Sequence, residues 1–263
     1  MMLFVICLVA LLASFLTFFS GFGLGTLLLP AFTFFFPVEQ AVAFTAVVHL
    51  CNNIFKSSLV FRNADWNIVF RFGIFTIPAA ILGANLLQFF SSAKPIYQYN
   101  VFGNYVCQIE WGGIVVGFLM LFFAFYEFSS MFARQHKDSF KNLWLGGLIS
   151  GFFGGLTGHQ GAMRSAWLIR VISDKSIFIA TGVMIAFLVD FSRLMVYSGT
   201  FREIHWDEYG TYLCFPVLSA FVGAFIGNRW LKKVTIQWVK VSVLFLLVLI
   251  GILTVLGILH PKN

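Results

Sequence analysis

One stretch of the sequence combines glycine with side chains that bind small anions. Residues 154–165 read GGLTGHQGAMRS and include His159, Gln160 and Arg164. These three side chains can donate hydrogen bonds, and the guanidinium of arginine is always positively charged. The flanking sequence is apolar. A cation at membrane depth is energetically costly, so its presence usually marks a functional site. The stretch therefore predicts a binding site for a negatively charged ligand.

A second glycine-rich stretch occurs early in the chain. Residues 20–32 read SGFGLGTLLLPAF. Glycine lets a chain turn sharply and approach a ligand closely, and a broken membrane helix presents free amide groups that attract anions. The alternative interpretation is close helix packing, since small residues let membrane helices approach each other. The predicted substrate-binding residues of both stretches are Gly21, Gly23, Gly25, Thr26, Gly158, His159, Gln160, Gly161 and Arg164.

A further set of polar residues lies within two other apolar segments. These candidate pathway or coupling residues are His49, Asn53, Lys56, Asp190 and Arg193. Asp190 and Arg193 are one helical turn apart, so structural pairing between them is the preferred interpretation. The alternative is that Lys56 and Arg193 flank a permeation path. Histidine titrates near neutral pH, so either His49 or His159 could carry a proton, although packing is the more common role of a membrane histidine.

The composition indicates an all-α polytopic membrane protein. Sixty per cent of the 263 residues are hydrophobic and 10% are charged, with a mean hydropathy of +0.91, whereas soluble domains are about half apolar and a quarter charged. The net charge of +7 is spread over short loops, where it sets membrane orientation. We therefore expect a lipid bilayer and no nucleic acid as partner. The four cysteines are isolated, so we expect no metal site and no cofactor.

The apolar segments define the predicted helices. They are 2–19 with 24–36, 40–61, 67–90, 111–133, 143–157 with 162–172, 176–198, 209–227 and 236–259. As helices, the two arms at 143–157 and 162–172 extend roughly 22 and 16 Å. Neither arm crosses ~30 Å of hydrocarbon, so these arms predict a re-entrant hairpin. The first segment is ambiguous, because residues 2–19 are long enough to cross alone.

The chain also shows an internal repeat. When the sequence is shifted by 137 residues, the two glycine stretches align, Asn53 lies over Asp190, and Lys56 lies over Arg193. Two similar halves are a common transporter plan. We predict an N-terminal repeat over residues 1–133 and a C-terminal repeat over residues 142–259, each with one hairpin and three transmembrane helices.

The distribution of basic residues favours re-entry of both hairpins. With six full spans, one side of the membrane carries eleven Lys and Arg residues in its loops and the other side carries three. If both hairpins crossed the membrane, this asymmetry would largely disappear, contrary to the positive-inside rule. Three spans per half make the repeats inverted relative to each other.

The two glycine stretches, SGFGLGTLLLPAF and GGLTGHQGAMRSAWL, one in each half of the chain, resemble the TauE/SafE family of sulfite and organosulfonate exporters. The resemblance implies a permease of the bacterial cytoplasmic (inner) membrane that moves a small sulfur-containing oxyanion outward. It also implies that the hairpin tips form the central binding site.

Two other functions remain as alternatives. An anion channel could use the same cavity. An intramembrane enzyme could use His49, His159 or Asp190, but nucleophilic catalysis needs an activated Ser, Cys or Thr beside its base. The sequence contains no such motif that we recognise, so we expect a protein that is not an enzyme.

Overall fold

The computed structural model describes residues 1–20, 23–101, 105–132, 142–202, 206–229 and 237–259. Ten α-helices, one 3-10 turn and one strand pair occur in these ranges. The helices are α1 (Met2–Ser20), α2 (Leu24–Thr33), α3 (Val38–Val60), α4 (Trp66–Ser91), α5 (Trp111–Phe132), α6 (Leu143–Thr157), α7 (Gln160–Val171), α8 (Lys175–Arg202), α9 (Trp206–Arg229) and α10 (Gln237–Val255). The mainly helical architecture predicted from the sequence is confirmed, and each predicted segment coincides with one helix.

Three of the six predicted full spans are long and apolar enough to cross a membrane over the described residues. They lie in α4, α8 and α9. The helix α3 has 23 residues, or about 35 Å, but it buries His49, Asn53 and Lys56. These polar residues lower its hydropathy, and they are also the residues predicted to have a function.

One element was not predicted. Strands β1 (Tyr97–Val101) and β2 (Tyr105–Ile109) form an antiparallel pair between α4 and α5. The Tyr99 hydroxyl donates to the Leu256 carbonyl at 2.6 Å, just beyond the end of α10. The hairpin therefore caps a helix end, where the last carbonyl groups have no partner within their own helix.

The C-terminal end of α3 and the N-terminal end of α8 define one face of the protein. The Asn63 side chain, just after α3, donates to Ser176 Oγ at 2.9 Å near the start of α8. The backbone amide of Asp65 donates to Thr181 at 2.9 Å. We call this side the basic face, because Arg62 also lies there. The loops before α4 and before α8 therefore lie on the same side of the protein.

Aromatic side chains close the opposite face, where α3 and α9 begin. The Phe36 ring packs edge-on against Phe44, Tyr209 and Tyr212, with centroid distances of 5.1, 5.9 and 5.6 Å. Phe32 lies 5.8 Å from Phe44 and belongs to the largest buried apolar cluster. We call this side the aromatic face.

Helices α6 and α7 form a hairpin whose two ends lie near the basic face. Gly146 on α6 packs against the Trp167 ring on α7, and Gly154 packs against Gln160. These two contacts show that α6 and α7 run in opposite directions. The helix α8, which begins at the basic face, follows α7 after three residues, 172–174. The turn between the arms therefore lies inside the protein.

A glycine stripe holds α6 parallel to α4. Gly147, Gly151 and Gly155 lie against the backbone of Phe72, Thr76 and Ala80, respectively. Both residue numbers increase together, so α6 begins at the basic face, as α4 does. This spacing of four residues is typical of close contacts between membrane helices, so these glycines serve packing.

Helix α1 runs parallel to α3 from the aromatic face. Ser14 bonds with Asn52 at 2.8 Å, and Lys56 donates to Thr17 at 3.1 Å. Residue numbers again increase together, so α1 begins near the start of α3. The helix α2 returns to the same face, because Phe36 follows it directly. The two hairpins thus extend inward from opposite faces.

The glycine stripe gives a stability prediction. A Cβ on Gly155 would collide with the Ala80 carbonyl, whereas a Cβ on Gly199 in α8 meets nothing within 4 Å. We expect Gly155→Ala to destabilise the protein by about 1–3 kcal/mol, because α4 and α6 must separate. Thermal unfolding in detergent measures the effect. Gly199→Ala is the matched control and should show no loss, and equal melting temperatures for the two variants would contradict the packing assignment.

Candidate anion-binding site

The two hairpins meet tip to tip near the middle of the protein. Gly158 ends α6 in the left-handed conformation, with φ of 83°, which suits a glycine at a helix terminus. A Cβ on Gly25 would lie 3.0 Å from the Gly158 carbonyl oxygen, and one on Gly23 would lie 3.6 Å from the Gly161 nitrogen. Backbone therefore faces backbone at this contact. The predicted site residue Gly21 lies outside the described residues.

Asp190 on α8 connects the tips to α3. Its Oδ2 contacts His49 Nδ1 and accepts from the Asn53 amide at 2.7 Å. Its Oδ1 accepts from Gln160 at 3.3 Å and lies 3.1 Å from Arg193 Nη2. The preferred pairing of Asp190 with Arg193 is thus present, and His49, Asn53 and Gln160 join it. Four of the predicted residues converge on one buried carboxylate.

Charge at this centre is not balanced. Among the described residues, the buried charged side chains are Lys56, Arg164, Asp190 and Arg193. Three basic groups therefore accompany one carboxylate among these side chains, so basic groups are in excess. Removing an ion from water costs several kcal/mol, so this excess favours a negatively charged ligand.

Two of the cations line a common cavity. Lys56 donates to Thr17 at 3.1 Å, and Arg164 donates to Gln160 at 3.3 Å. The cavity offers about 30 Å³ to the centre of a water-sized particle, whereas one water needs about 10–15 Å³. It lies between the tips and the basic face. Its lining is Thr17, Gly23, Leu24, His49, Asn53, Lys56, Arg164, Ser165, Leu168, Phe178, Ile179, Gly182, Val183 and Ala186.

The first hairpin contributes a helix N-terminus to this cavity. Gly23 and Leu24, which line it, are the N-cap and first residue of the ten-residue helix α2. Because the N-cap residue Gly23 has no side chain, it cannot accept a side-chain hydrogen bond from the first backbone amides of α2. The positive end of the helix dipole therefore lies on the same side as Lys56 and Arg164.

Several predicted binding residues lie beside the cavity rather than in its lining. Thr26, Gly158, Gln160 and Gly161 are placed in this way among the described residues. His159 lies against α5: its ring stacks on Phe123 with centroids 5.1 Å apart, and its Nδ1 is 2.9 Å from Thr157 Oγ1. The structure thus separates His159 from Arg164, five residues along the chain. A contact of these residues with substrate stays a prediction.

Arg193 lies on the other side of the tips from the cavity lining. Its side chain is 0% exposed, and Nε and Nη1 have no hydrogen-bond acceptor among the described residues. Its Nη1 occupies the space that a Cβ on Gly158 would need. The second tip therefore requires glycine at residue 158 because of both its backbone conformation and this guanidinium.

Among the lining residues that were not predicted from the sequence, two contact the cations. Thr17 accepts the hydrogen bond from Lys56, and Gly182 gives room to Arg164, whose Nε would lie 3.5 Å from a Cβ there. Thr17 could have been found as a polar residue one turn before the first glycine stretch. The role of Gly182 could not be predicted from the sequence, because its contact joins α8 to Arg164 on α7.

Comparison with known families identifies the kind of protein. The chain matches the family model described as sulfite exporter TauE/SafE over residues 6–254. The chain belongs to the TauE/SafE family. Proteins of this family are membrane transporters and not enzymes. No curated protein and no solved structure matches the chain.

The site has properties that suit a TauE/SafE transporter. Its cations Lys56 and Arg164 lie on helices that are otherwise mainly apolar, and they line the same cavity as the N-terminus of α2. Because the surrounding helices exclude water, electrostatic attraction is stronger there than in solution.

The Asp190 network gives a second stability prediction. Asp190→Asn leaves Arg193 buried without a counter-charge, so we expect a loss of about 3–5 kcal/mol. Adding Arg193→Gln should recover part of this loss, because the unpaired charge is removed as well. A double-mutant cycle of thermal unfolding measures the coupling.

A carboxylate at the surface provides the control for this cycle. Asp174 caps α8 by accepting from the amides of Ser176 and Ile177 at 2.8 and 2.9 Å. Asn caps helices as well as Asp does, so Asp174→Asn should change stability little. If the stability losses of the Asp190 and Arg193 substitutions were additive, the two side chains would not be coupled, and the assignment of a buried ion pair would be contradicted.

Proposed function

We propose that this TauE/SafE protein is a secondary permease of the bacterial cytoplasmic (inner) membrane. It exports a small sulfur-containing oxyanion, such as sulfite or an organosulfonate. The observation that carries the proposal is the excess of buried positive charge at the meeting point of the hairpin tips. Lys56 and Arg164 line one cavity there, and both are buried.

The anion binds in the cavity between Lys56 Nζ and the Arg164 guanidinium. Charge-assisted hydrogen bonds to these groups replace part of its hydration shell. The N-terminal amides of α2 provide further donors, as helix N-termini do for sulfate and phosphate. The other predicted tip residues, from Gly158 to Gly161, do not line the cavity, so their contribution to binding is indirect. Gln160 positions Arg164 through their hydrogen bond of 3.3 Å.

The two halves, 1–133 and 142–259, form inverted repeats in this proposal. Four helix contacts support it. The contact of α1 with α9 is the counterpart of the contact of α6 with α4, whereas α3 with α8 and α5 with α10 each join two equivalent helices. Asn53 and Asp190, which align in the sequence repeat, bond to each other at 2.7 Å. Equivalent residues meet in this way at a two-fold axis.

Alternating access follows from this symmetry. The cavity lies toward the basic face, while the aromatic cluster of Phe36, Phe44, Tyr209 and Tyr212 packs at the opposite face. A cavity with one face sealed by packed side chains supports a carrier over a channel. The basic face is cytoplasmic by the positive-inside rule, so the described state receives the anion from the cytoplasm.

The membrane potential can drive export. Moving one negative charge out of an inside-negative cell is worth ~2.3 kcal/mol per 100 mV. A carrier that moves a net negative charge in each cycle and releases the anion at the aromatic face needs no further energy source. The aromatic cluster must open for release.

Ligand-dependent thermal stability identifies the substrate. The purified protein is heated in detergent with sulfite, sulfate, thiosulfate, sulfoacetate or taurine at matched ionic strength. A ligand at 100 times its Kd stabilises the folded state by about 2.7 kcal/mol. We expect sulfite or a sulfonate to stabilise the protein more than sulfate does. Stabilisation by none of the sulfur oxyanions would contradict the proposed substrate class.

Removal of the Arg164 charge tests the cavity directly. A charge-assisted hydrogen bond contributes about 1.5–3 kcal/mol, so Arg164→Gln should reduce kcat/KM for anion transport roughly tenfold to a hundredfold. The measurement is uptake or release of labelled anion in proteoliposomes. Arg170→Gln, on the exposed part of the same helix, is the control and should transport at the normal rate. Unchanged transport by Arg164→Gln would contradict the site.

Labelling tests the re-entrant hairpin. Cys7, Cys51, Cys107 and Cys214 are first replaced by alanine. Single cysteines are then placed at three exposed residues, Asn142 and Ser173 beside the second hairpin and Pro37 at the opposite face. A membrane-impermeant maleimide should label positions 142 and 173 from the cytoplasmic side and position 37 from the other side. Labelling of 142 and 173 from different sides would mean that α6 and α7 together cross the membrane.

A further inference from the structure

His49 has a hydrogen-bonding arrangement that an anion site does not require. Its Nδ1 contacts Asp190 Oδ2, and Asn53 donates to the same oxygen at 2.7 Å. Arg193 lies 3.1 Å from the other oxygen and favours a carboxylate at Asp190. The proton shared between His49 and Asp190 therefore belongs to the imidazole. With Nδ1 of His49 donating to Asp190, and with Asn53 Nδ2 lying 3.1 Å from the same nitrogen, the second nitrogen, Nε2, is the one that can gain or lose a proton.

Nε2 of His49 faces the cavity. A Cβ on Gly23 would lie 3.6 Å from this atom, and His49 lines the cavity with Lys56 and Arg164. A neutral imidazole that donates through Nδ1 presents a lone pair at Nε2. An anion also presents lone pairs, so it is repelled by neutral His49. An imidazolium instead donates a hydrogen bond to the anion and adds a positive charge.

We propose that the anion occupies the cavity together with one proton on His49 Nε2, so that each transported anion moves with a proton. This inference rests on the proposed anion permease function. The proton comes from water on the side where the anion enters and returns to water where the anion leaves. Only the N–H bond at Nε2 forms and breaks, and the Asp190 carboxylate keeps the ring oriented throughout.

The groups around His49 explain why binding and protonation depend on each other. Burial of His49 opposes the imidazolium most strongly, Asp190 favours it, and Arg193 and Lys56 also oppose it. Arg164, which lines the same cavity, adds a further positive charge. A bound anion offsets these three cations, so it favours protonation of His49. By the same linkage, a protonated His49 binds the anion more tightly.

This coupling determines which anions the membrane potential can export. A singly charged anion that moves with one proton carries no net charge, so its flux should not respond to the potential. A doubly charged oxyanion keeps one net negative charge and is driven outward. The cavity with His49 thus selects by charge as well as by shape.

Calorimetry of the full chain in detergent tests the inference. Sulfite and methanesulfonate are titrated at several pH values in two buffers with different heats of protonation, which yields the number of protons taken up per anion. For each anion bound, wild type should take up as much as one proton more than His49→Gln does. Its affinity should fall by up to about tenfold per pH unit above the neutral range, since the unprotonated site must gain a proton. The difference between the two proteins removes the contribution of the anion's own titration.

The outcomes separate this inference from the proposed function. Anion binding by both proteins with equal proton numbers would overturn the proton coupling and leave the anion site intact. If wild type binds neither sulfite nor methanesulfonate, the proposed function itself is overturned. If His49→Gln does not fold, His49→Asn keeps an amide donor near the Nδ1 position and is expected to give the same reduced proton number. A second readout is the pH inside methanesulfonate-loaded proteoliposomes, which should rise on release with wild type and stay constant with either variant.

Discussion

Buried positive charge must be compensated within a membrane protein, because hydrocarbon provides no hydration. At the centre of this protein, Lys56, Arg164 and Arg193 are buried with one carboxylate, Asp190. Lys56 donates to Thr17 and Arg164 donates to Gln160, both neutral partners. In the proposed function, a transported anion adds negative charge to this centre, so the feature that is unfavourable in the empty protein is the one that would bind substrate.

The helices are arranged so that this centre can exist. Each hairpin starts at one face and turns inside the protein, where its glycine tip meets the other tip. The α6 arm is held by a glycine stripe against α4, and the α1 arm is held by the polar contacts of Ser14 and Thr17 with α3. Helices α3 and α8 cross beside the tips and bring His49 and Asp190 together. Packing therefore fixes the positions of the charges, and the glycines of the tips allow the two backbones to approach each other.

Much of this organisation could be predicted from the sequence, because apolar length and glycine position are local signals. The two arms of the second hairpin, the turn at Gly158 and the proximity of Asp190 to Arg193 all follow from residues that are close along the chain. The alignment of Asn53 with Asp190 also identified two residues that contact each other. These features depend on helix geometry and on a repeat, both of which a sequence shows directly.

Contacts between distant segments could not be predicted in the same way. The sequence places His49 and Asp190 141 residues apart, and only the crossing of α3 and α8 brings them into contact. His159 lies in the chemically most suggestive stretch, yet its ring stacks on Phe123 of α5, since the turn at Gly158 directs it away from Arg164. Gly155 belongs to the same glycine-rich stretch as the turn, but it packs within α6 against Ala80 of α4. The hairpin of β1 and β2 was missed because two five-residue strands give a weak pattern beside long apolar helices.

The central claim is that the substrate binds between Lys56 and Arg164 at the hairpin tips. A crystal structure with selenite or a selenonate in place of the sulfur anion tests it most directly, because selenium is located by its anomalous scattering. The account predicts one selenium peak within hydrogen-bonding reach of both side chains and beside the N-terminus of α2. A transported selenium anion found elsewhere, with this cavity empty, would contradict it.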